Sequence, residues 1–181
     1  MNDDKFACIE GILDAIEVGD RGDSNYMKLA YMEAIEARDR SDVPIGAVLV
    51  INNEIICSER NYGETNDDYF SHAENLLIQI YGKEIRNARK GKNIELYTTL
   101  EPCFMCFGAI VHNRINRLVY ACPDSIAGVT NMDPPTNWYN ERWPIIDQGP
   151  LKEESYKLMI DFIEKKGWGN VIEAYKSMQI K

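Results

Sequence analysis

Residues 94–122 read IELYTTLEPCFMCFGAIVHNRINRLVYAC, and this stretch limits the chain to few architectures. The apolar runs "IELYTTL" and "RLVYAC" are strand-like, while "CFMCFGAIVHN" between them carries helical spacing. Strand, helix and strand in that order imply parallel pairing, with the helix covering the sheet. Upstream, "AVLVI" and "EIICSE" flank the polar pair Asn52-Asn53, the pattern of an antiparallel hairpin. "HAENLLIQIYGKEI", which has helical periodicity, joins that hairpin to the strand at 94–100. A layered α/β sandwich satisfies all of these segments; a bundle or a barrel does not.

The 181 residues suit one domain spanning 1–181. Phe6, Ile9, Ile12, Leu13 and Ile16 predict an extra N-terminal helix within 1–20. Asp23 or Ser24 can cap a second helix running to about Arg40, with Met27, Ala30, Tyr31, Ala34 and Ile35 inward. Residues 123–150, rich in Pro, Asn, Asp and Trp, read as a long irregular loop and a possible lid, since loops of this length in compact domains tend to be functional. "LKEESYKLMIDFIEKKG" is an amphipathic helix, and "NVIEAYKSMQIK" is read as an edge strand or a frayed tail.

Charge and cysteine usage exclude several classes. With 20 Lys plus Arg against 29 Asp plus Glu, the net charge of −9 offers phosphate backbones no general attraction and disfavours a nucleic-acid partner. The N-terminus opens with acids and has no unbroken apolar run, so neither a signal peptide nor a membrane span is expected. Five cysteines, odd in number and mostly in apolar segments, suit reduced thiols and a cytoplasmic location.

Cys103 and Cys106 follow Pro102 at the expected start of a helix, separated by about 300° of rotation, so both thiols face one point. A helix N-terminus lowers thiol pKa, which prepares both to bind a cation as thiolates. His72, in "SHAEN" at the start of another helix, is the best third ligand, and His/Cys/Cys ligation points to one Zn2+ per chain. Glu74, two residues on, is a carboxylate beside the metal that is free to move protons.

H-x-E followed by P-C-x-x-C is the signature of zinc deaminases. "HAE" at 72–74, "PCFMC" at 102–106, "VPIGAVLV", "LYTTLEPC", "GAIVHNRINRLVY" and Asn61 eleven residues before His72 together resemble the cytidine deaminase superfamily. The likeness is to the branch that holds tRNA wobble-adenosine deaminases, guanine deaminases and fungal-type cytosine deaminases. It covers about residues 25 to 122 and implies a three-layer α/β/α sandwich around a mixed five-stranded sheet, assembled as a homodimer. It further implies hydrolytic release of ammonia from an amino-pyrimidine or amino-purine, free or as a nucleoside, with Glu74 catalytic. Asn61 and the backbone at Ala73 and Cys103 would hold the base, and Asp124 lies where some relatives place a specificity residue.

Other readings accompany these. The Cys-x-x-Cys could be a redox pair, or the zinc could be structural with His112 as a fourth ligand in a non-catalytic binding protein. Trp138, Tyr139 and Trp143 could stack on a base as a lid, or pack in an interface. Lys83, Arg86, Arg89, Lys90 and Lys92 could bind tRNA, or form a solvated helix face. "NDDYFSHAE" replaces the Asp-Pro-Thr-Ala common before the histidine in relatives acting on tRNA or guanine, so the chemistry carries over more firmly than the substrate.

Overall fold

The computed structural model describes residues 22–91 and 93–177, and the helix expected within 1–20 lies outside them. Helix α1 (Asp23–Asp39) leads into strands β1 (Gly46–Ile51) and β2 (Glu54–Arg60). A turn of helix, α2 (Gly63–Asn66), precedes α3 (Ala73–Ile80) and α4 (Gly82–Ala88). Next come β3 (Ile94–Leu100), α5 (Phe104–His112), β4 (Arg117–Cys122), the short α6 (Asn137–Asn140) and β5 (Ile145–Gln148), then α7 (Lys152–Lys166) and α8 (Gly169–Ser177).

The strands form one five-stranded sheet in the order β2-β1-β3-β4-β5. β1 is antiparallel to β2 and β3, whereas β3, β4 and β5 run parallel, so the expected mixed sheet is present. Asn52 and Asn53 both take the left-handed conformation (φ 53° and 65°) that a two-residue hairpin turn requires, which asparagine tolerates better than most residues.

Each face of the sheet buries its own apolar set. Val48, Val50, Tyr97, Val119 and Ala121 pack with Tyr26, Met27, Leu29 and Ala30 of α1. The alternate residues Leu49, Ile51, Ile94, Leu96 and Leu118 pack with Leu77 and Ile78 of α3 and Phe107, Ile110 and Val111 of α5. This two-sided burial makes the three layers, because successive strand residues point to opposite faces and both faces are apolar here. Gly46 lets α1 sit against β1: a Cβ there would stand 2.1 Å from the carbonyl oxygen of Ala30.

Four local expectations give way to tertiary contacts. The N-cap of α1 is Gly22 with no side-chain cap; Asp23 is drawn instead to Arg117 and Tyr97. The helical run after His72 divides into α3 and α4 at Tyr81. A fifth strand, β5, lies inside the segment read as a loop, and its four residues pair with β4. Residues 169–177 form α8, a helix where an edge strand or tail was expected. Among the described residues no helix is long and apolar enough to cross a membrane.

Candidate active site

The N-termini of α3 and α5 meet beyond the C-terminal end of β3: α5 starts shortly after that strand, and the segment after β2 brings the start of α3 to the same place. His72 is the N-cap residue of α3 and Cys103 that of α5. His72 Nδ1 lies 3.6 Å from the Sγ atoms of both Cys103 and Cys106. A tetrahedral zinc with its usual bond lengths places nitrogen and sulfur ligands about 3.5 Å apart, so the three side chains stand at the spacing the ion demands. Among the described residues this trio is the one His/Cys/Asp/Glu group able to hold a metal ion.

Proton placement follows from the same closeness. The Cys103 thiol is lowered to about 4, first by the hydrogen bond from Cys106 and then by His72. Cys106 is pushed up by that same bond and by burial, and His72 is raised by its contact with Cys103. One thiol of the pair is therefore readily a thiolate, and a cation favours deprotonation of both.

Glu74, in the first turn of α3, is 3% exposed, and Thr98 Oγ1 donates to its Oε1 at 3.4 Å. Burial raises its pKa, because a carboxylate is poorly solvated there. The group is thus suited to hold a proton as well as to accept one. Ala73, fully buried, is the first residue of α3, so its N–H has no partner within the helix.

Asn61 follows β2 and is buried in the cavity wall. Its Oδ1 accepts the Gly63 N–H at 2.7 Å, which leaves the amide NH2 to donate. The chain between Asn61 and His72 is laced together: Ser71 Oγ donates to Asp68 at 2.7 Å, and Asn75 Nδ2 donates to the Phe70 carbonyl at 2.9 Å. These bonds set the approach of His72 to the sulfurs.

A cavity of ≈ 240 Å³ opens over this centre, lined by Asn61, His72, Glu74, Cys103 and Asp124 among others. Glu101, 5% exposed, shapes one wall: its carboxylate accepts the N–H groups of Asp124 and Thr130 and the Thr130 hydroxyl. Sequence reasoning gave Glu101 no role, although its place just before Pro102 put it at the site. Trp168, Val171 and Tyr175 of the C-terminal region also line the cavity and were not foreseen.

Trp138 and Trp143 are not among its lining residues, so of the two readings, a lid on the base or packing, the contacts favour packing. Trp143 packs edge-on against Phe107 (4.9 Å), and Trp138 lies 5.2 Å from the His112 ring at the far end of α5. Only the first part of 123–150, with Asp124, Ile126 and Ala127, reaches the cavity. His112 is exposed at that far end and supplies no fourth ligand to the trio. Near it, Arg89, Arg114 and Arg142 line a separate hollow of ≈ 200 Å³ with Asn116, Glu141 and Trp143.

Residues 20–122 match the family described as the cytidine and deoxycytidylate deaminase zinc-binding region. A tRNA-specific adenosine deaminase of Bacillus subtilis is 44% identical over 106 residues, which cover 59% of this chain and 65% of that protein. The chain thus spans just under two thirds of that relative. A tRNA-specific adenosine deaminase of Aquifex aeolicus is 34% identical over 149 residues, covering 80% of this chain and 95% of its own. A solved structure from a study of A-to-I editing by tRNA:A34 deaminases superposes with a TM-score of 0.64 at 32% identity, covering 75% of this chain and 99% of its own.

Proposed function

Since the chain belongs to the cytidine and deoxycytidylate deaminase zinc-binding family, we propose that it is a hydrolase that removes the exocyclic amine of an amino-purine or amino-pyrimidine, as free base or nucleoside, and releases ammonia. The observation that carries this reading is the buried Glu74 beside three metal ligands, in a cavity with room for a base. A purely structural zinc has no use for a carboxylate in that position.

Zinc held by His72, Cys103 and Cys106 supplies Lewis acidity that activates water near neutral pH. Glu74 takes a proton from the attacking water and delivers it to the ring nitrogen next to the reacting carbon. The same carboxylate then carries the water's second proton to the amine. The C–N bond breaks, ammonia leaves, and the water oxygen remains as the ring carbonyl. Asn61, with its oxygen committed to Gly63, turns two N–H donors toward acceptors on the base. The orphan N–H at the start of α3 offers a further donor at Ala73.

The test is ammonia release from cytosine, cytidine, guanine, guanosine, adenine and adenosine, with zinc-loaded Glu74→Gln as the blank. Release from one of them that vanishes in the blank is the expected result. Silence across the panel overturns the small-molecule reading.

A second reading, deamination of the wobble adenosine of tRNA, is supported by the names of the two relatives and by Arg89, Arg114 and Arg142 around one hollow in an acidic chain. Salt-sensitive binding of an anticodon stem-loop supports it, and no binding at low salt removes it. We also propose a homodimer in the cytoplasm. Tyr69, Phe70 and Phe104, 92%, 62% and 71% exposed around the zinc ligands, give a second copy an apolar surface. A solution mass equal to one chain would remove the dimer.

A further inference from the structure

One element borders the cavity without taking part in the chemistry. Gly167, in the left-handed conformation (φ 72°), ends α7 by donating its N–H to the Glu164 carbonyl, while the Trp168 N–H reaches the Ile163 carbonyl at 3.2 Å. This glycine turn stops the helix and sends the chain back on itself, so α8 packs against α7. Trp168, Val171 and Tyr175 then line the cavity together with His72 and Cys103.

Two hydrogen bonds fasten α8 to the loop after β4. The Tyr175 hydroxyl donates to Asp124 Oδ1 at 3.0 Å, and Ser125 Oγ donates to the Ala174 carbonyl at 3.2 Å. A third runs from the Tyr156 hydroxyl on α7 to the Tyr175 carbonyl at 3.2 Å. Tyr175 is 3% exposed, so its ring is a wall of the site and not a surface group. The space left is ≈ 240 Å³. That is below the roughly 300 Å³ at which pockets for drug-sized ligands begin.

The hollow next to this cavity is acidic. With a volume of ≈ 280 Å³, it shares Val43, Asn61, His72 and Trp168 with the cavity and is otherwise lined by Gly63, Glu64, Asp67, Asp68 and Tyr69. Of the three carboxylates, Glu64 alone has an ion-pair partner among the described residues, Lys166 at 3.2 Å. A phosphate in this hollow meets the like charges of Asp67 and Asp68, neither of which has an ion-pair partner among the described residues.

We propose that α8, fastened through Tyr175 to Asp124, is the specificity element of the site: it sizes the cavity for an uncharged free base and excludes the same base carried on a sugar phosphate. The proposal rests on the deaminase reading for the identity of the ligand class. Trp168 and Tyr175 act by closing space, and Asp124 acts through Tyr175 as a positioning residue.

The test uses ligands that lack the exocyclic amine, so that binding is read without turnover. Purine and 2-pyrimidinone, their ribosides and their riboside 5′-phosphates are titrated calorimetrically into the zinc-loaded full chain, Tyr175→Phe and Trp168→Ala. The expected result is that the full chain binds one of the two bases at least tenfold more tightly than its riboside and shows no binding of the riboside phosphate. Tyr175→Phe, which removes one hydroxyl, and Trp168→Ala are each expected to narrow that ratio fivefold or more, with one zinc per chain retained.

Equal binding of base and riboside phosphate overturns the proposal. So does a ratio unchanged in both variants, an anticodon stem-loop bound more tightly than the base, or binding of neither base. Ammonia release from the amino counterparts, read on the same proteins, separates the two claims. Binding without release removes the deaminase reading and leaves the filter, whereas release with an unchanged ratio does the reverse.

Discussion

The two ends of the central sheet solve opposite electrostatic problems. At the end where β3 and β4 begin, Arg117 donates to Asp23 of α1, Glu95 of β3 and Asp147 of β5 at 2.7 to 3.0 Å. The Tyr97 hydroxyl, with its one proton shared between Asp23 and Glu95 at 2.7 and 2.8 Å, belongs to the same cluster and accepts from Arg117. Three elements are tied by one planar guanidinium whose donors all point at matching acceptors. At the other end, two thiols, an imidazole and a buried carboxylate converge with no Lys or Arg among the cavity-lining residues. The first arrangement is complete within the chain; the second calls for a cation from outside. Polar groups gathered for catalysis are those a fold leaves unbalanced, and the structure is secured elsewhere.

Breaking the site end should affect rate and spare the fold. Glu74→Gln keeps the shape of the side chain and removes the charge, so zinc content and thermal midpoint should hold while kcat falls by about 10²- to 10⁴-fold, the usual worth of a positioned proton carrier. Loss of zinc in this variant would mean that Glu74 supports the metal instead. A kcat within about threefold of the parent would remove the proposed mechanism.

Breaking the other end should do the reverse. Arg117→Met leaves Glu95, whose side chain is 8% exposed, without its ion-pair partner. The expected cost is about 3 kcal/mol of folding stability, in line with stranding a buried charge. Activity per folded, zinc-loaded molecule should stay near the parent value. Denaturant titration and active-site zinc content read the two quantities separately, and equal losses in both would dissolve the contrast between the ends.

The acid response sharpens the same contrast. Asp23 is held below the usual carboxylate range, first by the hydrogen bond from Arg117 and then by that from Tyr97, against an opposing effect of burial. A carboxylate with a depressed folded-state pKa contributes stability that is fully present above its unfolded value of about 4 and is lost as pH falls through the folded value. Stability measured from pH 7 downward should therefore drop below about pH 4 in the parent. Asp23→Asn should lower stability near neutrality and flatten that acid drop. A parallel profile in parent and variant would show that the pair adds nothing.

These pairings also explain how much of the molecule could be read beforehand. His72, Glu74, Cys103, Cys106 and Asn61 were legible because each stands at a sequence offset from a strand end or helix start, and local pattern carries that information. The hairpin and the layered α/β sandwich were legible for the same reason, whereas the three layers around five strands came from the resemblance of the motifs to a known family. Asp23 was not: as a helix-start residue it reads as a cap, and its partner Arg117 lies 94 residues away. β5 was hidden because IIDQ is a four-residue edge strand with only its middle pair half-buried, too short to show alternation. α8 was misread because Val171 and Ile172 favour strands, while a tertiary contact through Tyr175 decides its state. Trp138 and Trp143 marked an aromatic segment whose place, over the cavity or packed elsewhere, stayed open, since composition does not say which way a loop turns.

The smallest effect tests whether the Arg117 end is secured by its network or by local chain geometry. Asn52 and Asn53, in the turn between β1 and β2, both have positive φ, and Asn52 Oδ1 accepts the Asn93 N–H at 2.9 Å, two residues before Glu95. Asn52 is thus tied into the same end of the sheet, whereas the backbone carbonyl of Asn53 accepts the Tyr26 hydroxyl and needs no particular side chain. Asn53→Gly creates the Asn-Gly pair that suits this turn best, but glycine also gains freedom in the unfolded chain. The two effects oppose, so the net change should be a stabilisation of about 0.5 kcal/mol or less. Measured in the Arg117→Met background, the same substitution should give the same small gain, because the turn and the ion network share no atoms. A gain that disappears there would mean that Arg117 orders the hairpin as well as the three carboxylates, and the network would then reach beyond the elements it touches.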